Sequence, residues 1–140
     1  MRNRFIFCIL TIIFSVVLAG CSLNARIKKA DRKYAIGEYY EAGEMYRQVY
    51  RRIPTKDKAT RAHVAFRQGE SNRIINNARA ATAYKNAIKY HYPDSIVYLR
   101  YAQVLQYQGK IKEAIKQYDI YLDTYPNNYV ALAGKYSCTQ

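Results

Sequence analysis

The sequence predicts an all-α fold of about three helix pairs closed by a C-terminal capping helix. Three observations carry that prediction. Apolar residues recur at i, i+3, i+4 and i+7, the spacing that lines one face of an α-helix. A small residue followed four places later by tyrosine occurs at Ala42–Tyr46, Ala80–Tyr84 and Ala114–Tyr118, with the alanines 38 and then 34 residues apart. Each phrase is followed by a proline, at Pro54, Pro93 and Pro126, which a helix interior does not tolerate.

The unit at residues 95–126 is the clearest. Tyr98, Tyr101, Ala102 and Leu105 share one face of a first helix. Ile111, Ala114, Ile115, Tyr118 and Leu122 make the face of a second. Gly109 lies between them, where a helix ends in a left-handed residue and the chain reverses. Ala102 and Ala114 are small because paired helices approach closely there. An ordinary helical hairpin accounts for the stripe but not for Gly109 and Pro126 at these places. In this order of aromatic, small and proline positions the unit resembles a tetratricopeptide repeat. The resemblance implies a right-handed superhelix that serves as a binding scaffold and needs a partner.

A chain of 140 residues allows one ordinary domain, and half of its residues are apolar, enough for a core. Sixteen residues are Tyr and none is Trp. Tyrosine suits thin helical layers, where the ring packs while the hydroxyl stays wet. The formal charge is +13. It suggests an anionic partner: nucleic acid, phospholipid, lipopolysaccharide or an acidic protein. The basic residues are scattered, so many belong to solvated helix faces.

Residues 1–20 read as a lipoprotein signal peptide. Arg2 and Arg4 form a positive end, and residues 5–17 are apolar except for Thr11 and Ser15. The run is short of the roughly 20 residues a membrane span needs and fits a secretory signal. The tetrad Leu18-Ala19-Gly20-Cys21 resembles a bacterial lipobox. That resemblance implies lipid on the Cys21 thiol, cleavage before it and acylation of the new amino end; the other reading is an uncleaved anchor. Without Arg2 and Arg4 the charge is 21 basic against 10 acidic residues, or +11. Several acyl chains hold where one is marginal. Ser22 after the cysteine favours the outer membrane by resemblance to lipoprotein sorting, and the lack of acidic residues in 22–26 favours its periplasmic face. Cys8 leaves with the leader, so Cys138 has no partner for an intramolecular disulfide and reads as a small packing residue.

Residues 21–25 read as a lipidated tether and 26–140 as the repeat domain. The first unit covers about 26–54: helices over 26–36 and 39–52, a turn at Gly37, and Ala30, Tyr34, Ala42, Tyr46 and Val49 facing inward. Arg26 and Lys29 fall where large apolar residues are usual, as in a polar N-terminal cap. The second unit covers about 60–93 after a polar connection at 55–58. Its helices are placed at 60–75 and 78–90, with Ala65, Gln68 and Gly69 at the close contact and Asn76-Asn77 as the turn. Asn72 stands where a large apolar residue is usual. After the third unit, Asn127-Asn128 caps a helix over 128–138, packed through Ala131, Leu132 and Lys135.

The phrases Lys29-Ala30-Asp31, Gly37-Glu38-Tyr39-Tyr40-Glu41-Ala42, Ala83-Tyr84-Lys85-Asn86-Ala87-Ile88, Tyr92-Pro93-Asp94, Gly109-Lys110 and Ser137-Cys138 resemble the N-terminal region of a Bacteroidetes lipoprotein family. Its members carry such repeats before a WD40-like propeller, a β-sandwich and an OmpA-like peptidoglycan-binding domain, and some serve type IX secretion and gliding. The resemblance implies an envelope partner protein and a membrane held through lipid. The later domains are absent here, so peptidoglycan binding does not carry over. The alternatives are a structural tether or the front part of a longer OmpA-like protein.

No catalytic constellation stands out, so no enzyme, cofactor, metal or small-molecule substrate is expected. His63 and His91 have no metal-ligand spacing. Tyrosines beside basic residues can hold single-stranded nucleic acid, but most tyrosines here sit at packing positions, and a periplasmic lipoprotein meets none. The candidate groove is the free face of the first helices: His63, Arg67, Glu70 and Arg73, then Ile96, Arg100, Gln103 and Tyr107. Arg67 and Arg100 fall two residues before Gly69 and Ala102. Stacked, they would grip carboxylates by paired hydrogen bonds, resembling the carboxylate clamp of chaperone-binding repeats. The Asn of that clamp is absent, with Asp31, Glu70 and Gln103 nearby instead.

Overall fold

The computed structural model describes residues 23–76 and 78–140. The signal-peptide reading, Cys21, Ser22 and Asn77 lie outside the described residues. Among those described are seven α-helices and no strand. Helix α1 covers 23–35; then follow α2 Tyr39–Tyr50, α3 Lys58–Ile74, α4 Arg79–Lys89, α5 Ile96–Tyr107, α6 Ile111–Thr124 and α7 Tyr129–Ser137. From α2 onward each helix packs on the next in the chain. That nearest-neighbour stacking is the mark of a solenoid.

Left-handed residues close each pair. Gly37 has φ +84° and Gly109 φ +72°. The amide of Gly109 bonds back to the Gln106 carbonyl at 2.9 Å and that of Lys110 to Leu105 at 2.9 Å, so the last carbonyls of α5 are satisfied. Asn76 takes φ +52° in the middle unit, as its side chain tolerates. His91 also adopts a left-handed φ of +61°; it ends α4 two residues before Pro93, a role the sequence did not suggest.

Helix starts are capped where short polar side chains stand free. Asp57 accepts from the Thr60 amide at 3.1 Å, so α3 begins at Lys58, inside the stretch read as a connection. Asn128 accepts from the Ala131 amide at 3.1 Å, which starts α7 at Tyr129. Helix α1 already includes residues 23–25, read above as tether. The reason is packing: Leu23 and Ile27 lie against the N-terminal core with Ala30, Ala42, Tyr46 and Val49.

Each unit places one tyrosine wholly inside the core, among other buried side chains. Tyr46, Tyr84 and Tyr118 are fully buried, and burying a side chain of that size contributes about 1.5–3 kcal/mol. Small residues make room. A Cβ on Gly134 would stand 2.5 Å from Tyr118, so α7 docks on α6 at backbone distance. Asn72, only 4 % exposed, occupies a large-residue position because Gly43 of α2 leaves space: a Cβ there would meet its Oδ1 at 2.9 Å. Ala131 is buried and Lys135 pairs with Asp119 at 2.6 Å. Leu132 instead faces solvent, because Ala131 and Gly134 take the close contact.

Candidate functional site

The first helices α1, α3 and α5 carry a ladder of polar side chains. Asp31 follows Ala30, Glu70 follows Gly69 and Gln103 follows Ala102, so the three share one register. The buried tyrosine of each of the first two units reaches its own rung. Tyr46 donates to Asp31 at 2.5 Å and Tyr84 donates to Glu70 at 2.5 Å. An arginine of the following unit reaches the same acid: Arg67 to Asp31 at 3.7 Å and Arg100 to Glu70 at 3.7 Å. Arg73 adds two bonds to Glu70, at 3.3 and 3.1 Å. In the third unit the pattern changes: Gln103 accepts from Arg100 at 3.3 Å, and Tyr118 donates to Gln106 at 2.7 Å.

The electrostatics follow. Burial alone would raise the Glu70 carboxyl, but the bonds from Arg73 and Tyr84 and the charge of Arg100 outweigh it and hold it below the usual range. Burial and the adjacent acids push the Tyr46 and Tyr84 hydroxyls well above theirs. Burial disfavours charge on Arg67 and Arg73, yet Tyr46 and Asp31 for one, and Glu70 for the other, raise both above the ordinary arginine value.

Beside this ladder lies a cavity of about 530 Å³, within the range of sites that hold small ligands. One wall is α5, through Arg100, Gln103, Val104 and Tyr107. The other is the end of unit two, through Arg73, Asn76, Ala78 and Ala80. Gln108 closes one end by donating to the Ala78 carbonyl at 3.0 Å. Tyr107 is 74 % exposed, a ring held out as a wall.

Of the groove residues expected from sequence, Arg73, Arg100, Gln103 and Tyr107 line this cavity, and His63 and Arg67 do not. The two guanidinium groups that line this cavity are those of Arg73 and Arg100. Arg67 is drawn away by Asp31 and by the Tyr34 ring, 4.2 Å beneath it. His63 is exposed on α3, and Ile96 packs against the core. Asn76, Val104 and Gln108 were not foreseen; their signal was proximity to Gly109 and the unit-two turn. Among the described residues no three His, Cys, Asp or Glu side chains come together. Burial raises the Cys138 thiol, which lowers its reactivity.

The fold is that of tetratricopeptide domains. The second such domain of the human RPAP3 protein, in complex with the HSP70 peptide SGPTIEEVD, is similar with a TM-score of 0.72 at 16% identity, over 87% of this chain and 98% of that one. The first such domain of Spaghetti (RPAP3), bound to the HSP90 peptide SRMEEVD, gives a TM-score of 0.69 at 18% identity, over 84% and 90%. No family model and no curated protein matches the chain in sequence.

Proposed function

We propose that this chain is a scaffold that holds a peptide segment of another protein and performs no chemistry of its own. The observation that carries the reading is the cavity between the unit-two turn and α5, where Arg73 and Arg100 open beside the exposed Tyr107 ring. Two guanidinium groups against one Glu70 carboxylate leave a positive balance. The occupant is an acidic segment or a C-terminal carboxylate, gripped by paired hydrogen bonds with an apolar side chain on Tyr107. Both similar solved domains hold acidic peptides, and the net charge of +13 agrees in sign. No cofactor, metal, nucleic acid or small-molecule substrate is part of this reading.

The same proposal sets the scaffold on the periplasmic face of the outer membrane through lipid on Cys21, in an envelope complex such as type IX secretion or gliding machinery. Its support is the order of Arg2 and Arg4, the apolar run and the Leu-Ala-Gly-Cys tetrad. A second reading is a tether that seats a further segment on α7. It is favoured by the exposed Tyr129, Leu132 and Tyr136 on that helix.

The test uses a labelled peptide ending in Glu-Glu-Val-Asp, read by fluorescence anisotropy. Saturable binding that weakens on amidation of the terminus, on adding salt and in Arg100→Ala is expected. No saturable binding of this or other acidic peptides removes the reading. For the anchor, labelled fatty acid should enter the wild-type chain and not Cys21→Ala; incorporation into both excludes Cys21 as the lipid site.

A further inference from the structure

A second opening, of about 210 Å³, lies between α2 and α4, at the contact of units one and two. Its floor is Gln68 of α3, and Thr82 and Asn86 of α4 supply a hydroxyl and an amide. Three guanidinium groups edge it: Arg47 of α2, Arg51 just past its end, and Arg79 of α4. Glu44 lies between two of these, bound by Arg47 and by Arg79 at 2.6 Å. Arg51, one turn past Arg47, is exposed and adds a further positive charge.

The repeat supplies an internal comparison. Ala42, Ala80 and Ala114 hold equivalent places, so α2 relates to α4 as α4 relates to α6. Gly69 and Ala102 are equivalent, which sets Gln68 against Tyr101. By the same register Tyr50 corresponds to Ile88, and Asn86 to Ile120. Between α4 and α6 these places therefore carry Ile88, Tyr101 and Ile120. Tyr101 is buried in the core and Ile88 packs against it. The unit-one to unit-two groove keeps Tyr50 and Ala83 in its lining but departs from that apolar filling at the other two places, with the amides of Gln68 and Asn86, and it carries arginines on its rim.

We propose that this groove is a binding site for a phosphate group. Three guanidinium groups against one carboxylate favour a multiply charged anion, and arginine matches phosphate oxygens with paired donors. Thr82, Gln68 and Asn86 offer the neutral donors that complete its shell. The volume falls below the roughly 300 Å³ at which pockets for drug-sized ligands begin, so the site takes one phosphate and its first attached atoms. Two sources present that chemistry: a free or small-molecule phosphate, and a phospholipid headgroup.

The test follows the amide resonances of the full chain in non-ionic detergent micelles. One arm titrates inorganic phosphate; the other dopes the micelles with phosphatidylglycerol. Saturable shifts around Gln68 and Thr82 are expected in at least one arm. Gln68→Tyr with Asn86→Ile rebuilds the groove as the next unit fills it and should weaken binding at least tenfold. Arg51→Gln, an exposed change that leaves the fold alone, should weaken it several-fold and decides the matter where the double variant does not fold. Shifts with phosphate assign the soluble source; shifts with phosphatidylglycerol alone assign the headgroup. No saturable shift in either arm overturns the proposal, as does binding that Arg51→Gln leaves unchanged. A response at these residues to an acidic peptide but not to phosphate also overturns it.

Discussion

Gly69 lies against the ring of Tyr84: a Cβ placed on Gly69 would stand 2.7 Å from two of the ring carbons. The ring has nowhere to go. Tyr84 is fully buried, and its hydroxyl is bonded to Glu70, the residue after Gly69. Gly69→Ala gains about 1 kcal/mol of helix propensity, and the clash must exceed that gain. Overpacking of this kind costs about 1–3 kcal/mol, so a net loss in the denaturant midpoint is expected. A variant as stable as wild type would mean that α3 and α4 do not meet this closely.

The Glu70 rung predicts an acid limb. Its carboxyl is held below the unfolded value of about 4.3 by Arg73, Tyr84 and Arg100, despite burial. Its stabilisation is therefore complete above that value and lost as pH falls through the lower, folded one. Glu70→Gln should cost about 1.5–3 kcal/mol at neutral pH, the range for bonds to charged groups. It should also flatten the loss of stability below pH about 4.3. Urea midpoints measured across this range check both; an unchanged acid limb would move the linkage to another carboxylate.

The buried tyrosines predict the opposite limb. Burial raises Tyr46 and Tyr84 far above the ordinary value, and Tyr118 to about 12. Below about pH 10 these phenols are neutral folded or unfolded. Above it the unfolded chain releases protons that the folded chain keeps, so stability falls as pH rises. In an alkaline titration Tyr46, Tyr84 and Tyr118 should ionise only with loss of the helical circular dichroism. Ionisation of the full complement before any helix is lost would contradict the burial.

Much of this architecture is legible one residue at a time. Gly37 and Gly109 at the turns, and Ala42, Ala80 and Ala114 at the close contacts, announce themselves because each place admits few residue types. Contacts between units are harder to read. Asn72 looks like a flaw in its own helix and becomes intelligible only beside Gly43 of another. Arg67 and Arg100 look alike along the chain, yet only Arg100 reaches the cavity. Each meets the acid of the preceding unit, but the ring beneath Arg67 is Tyr34 of α1. Periodicity places a residue on a helix face; which neighbour claims its charge is settled by residues about one repeat away.

Arg67 and Tyr107 should therefore separate stability from binding. The Arg67 side chain is 27% exposed, paired with Asp31 and stacked on Tyr34. A guanidinium over an aromatic ring contributes about 0.5–2 kcal/mol, and its loss also strips Asp31 of a partner. Arg67→Ala should lower the denaturant midpoint by that order while acidic-peptide affinity stays within about twofold, a change under roughly 0.5 kcal/mol. Tyr107 projects into solvent at the cavity wall. Tyr107→Ala should leave stability within about 0.5 kcal/mol, as surface changes do, and weaken the same peptide about tenfold, a loss of roughly 1.4 kcal/mol. Both quantities come from one preparation, by urea unfolding and by anisotropy. If Arg67→Ala abolishes binding and Tyr107→Ala does not, the peptide lies along the Asp31–Arg67 rung instead of the cavity beside α5.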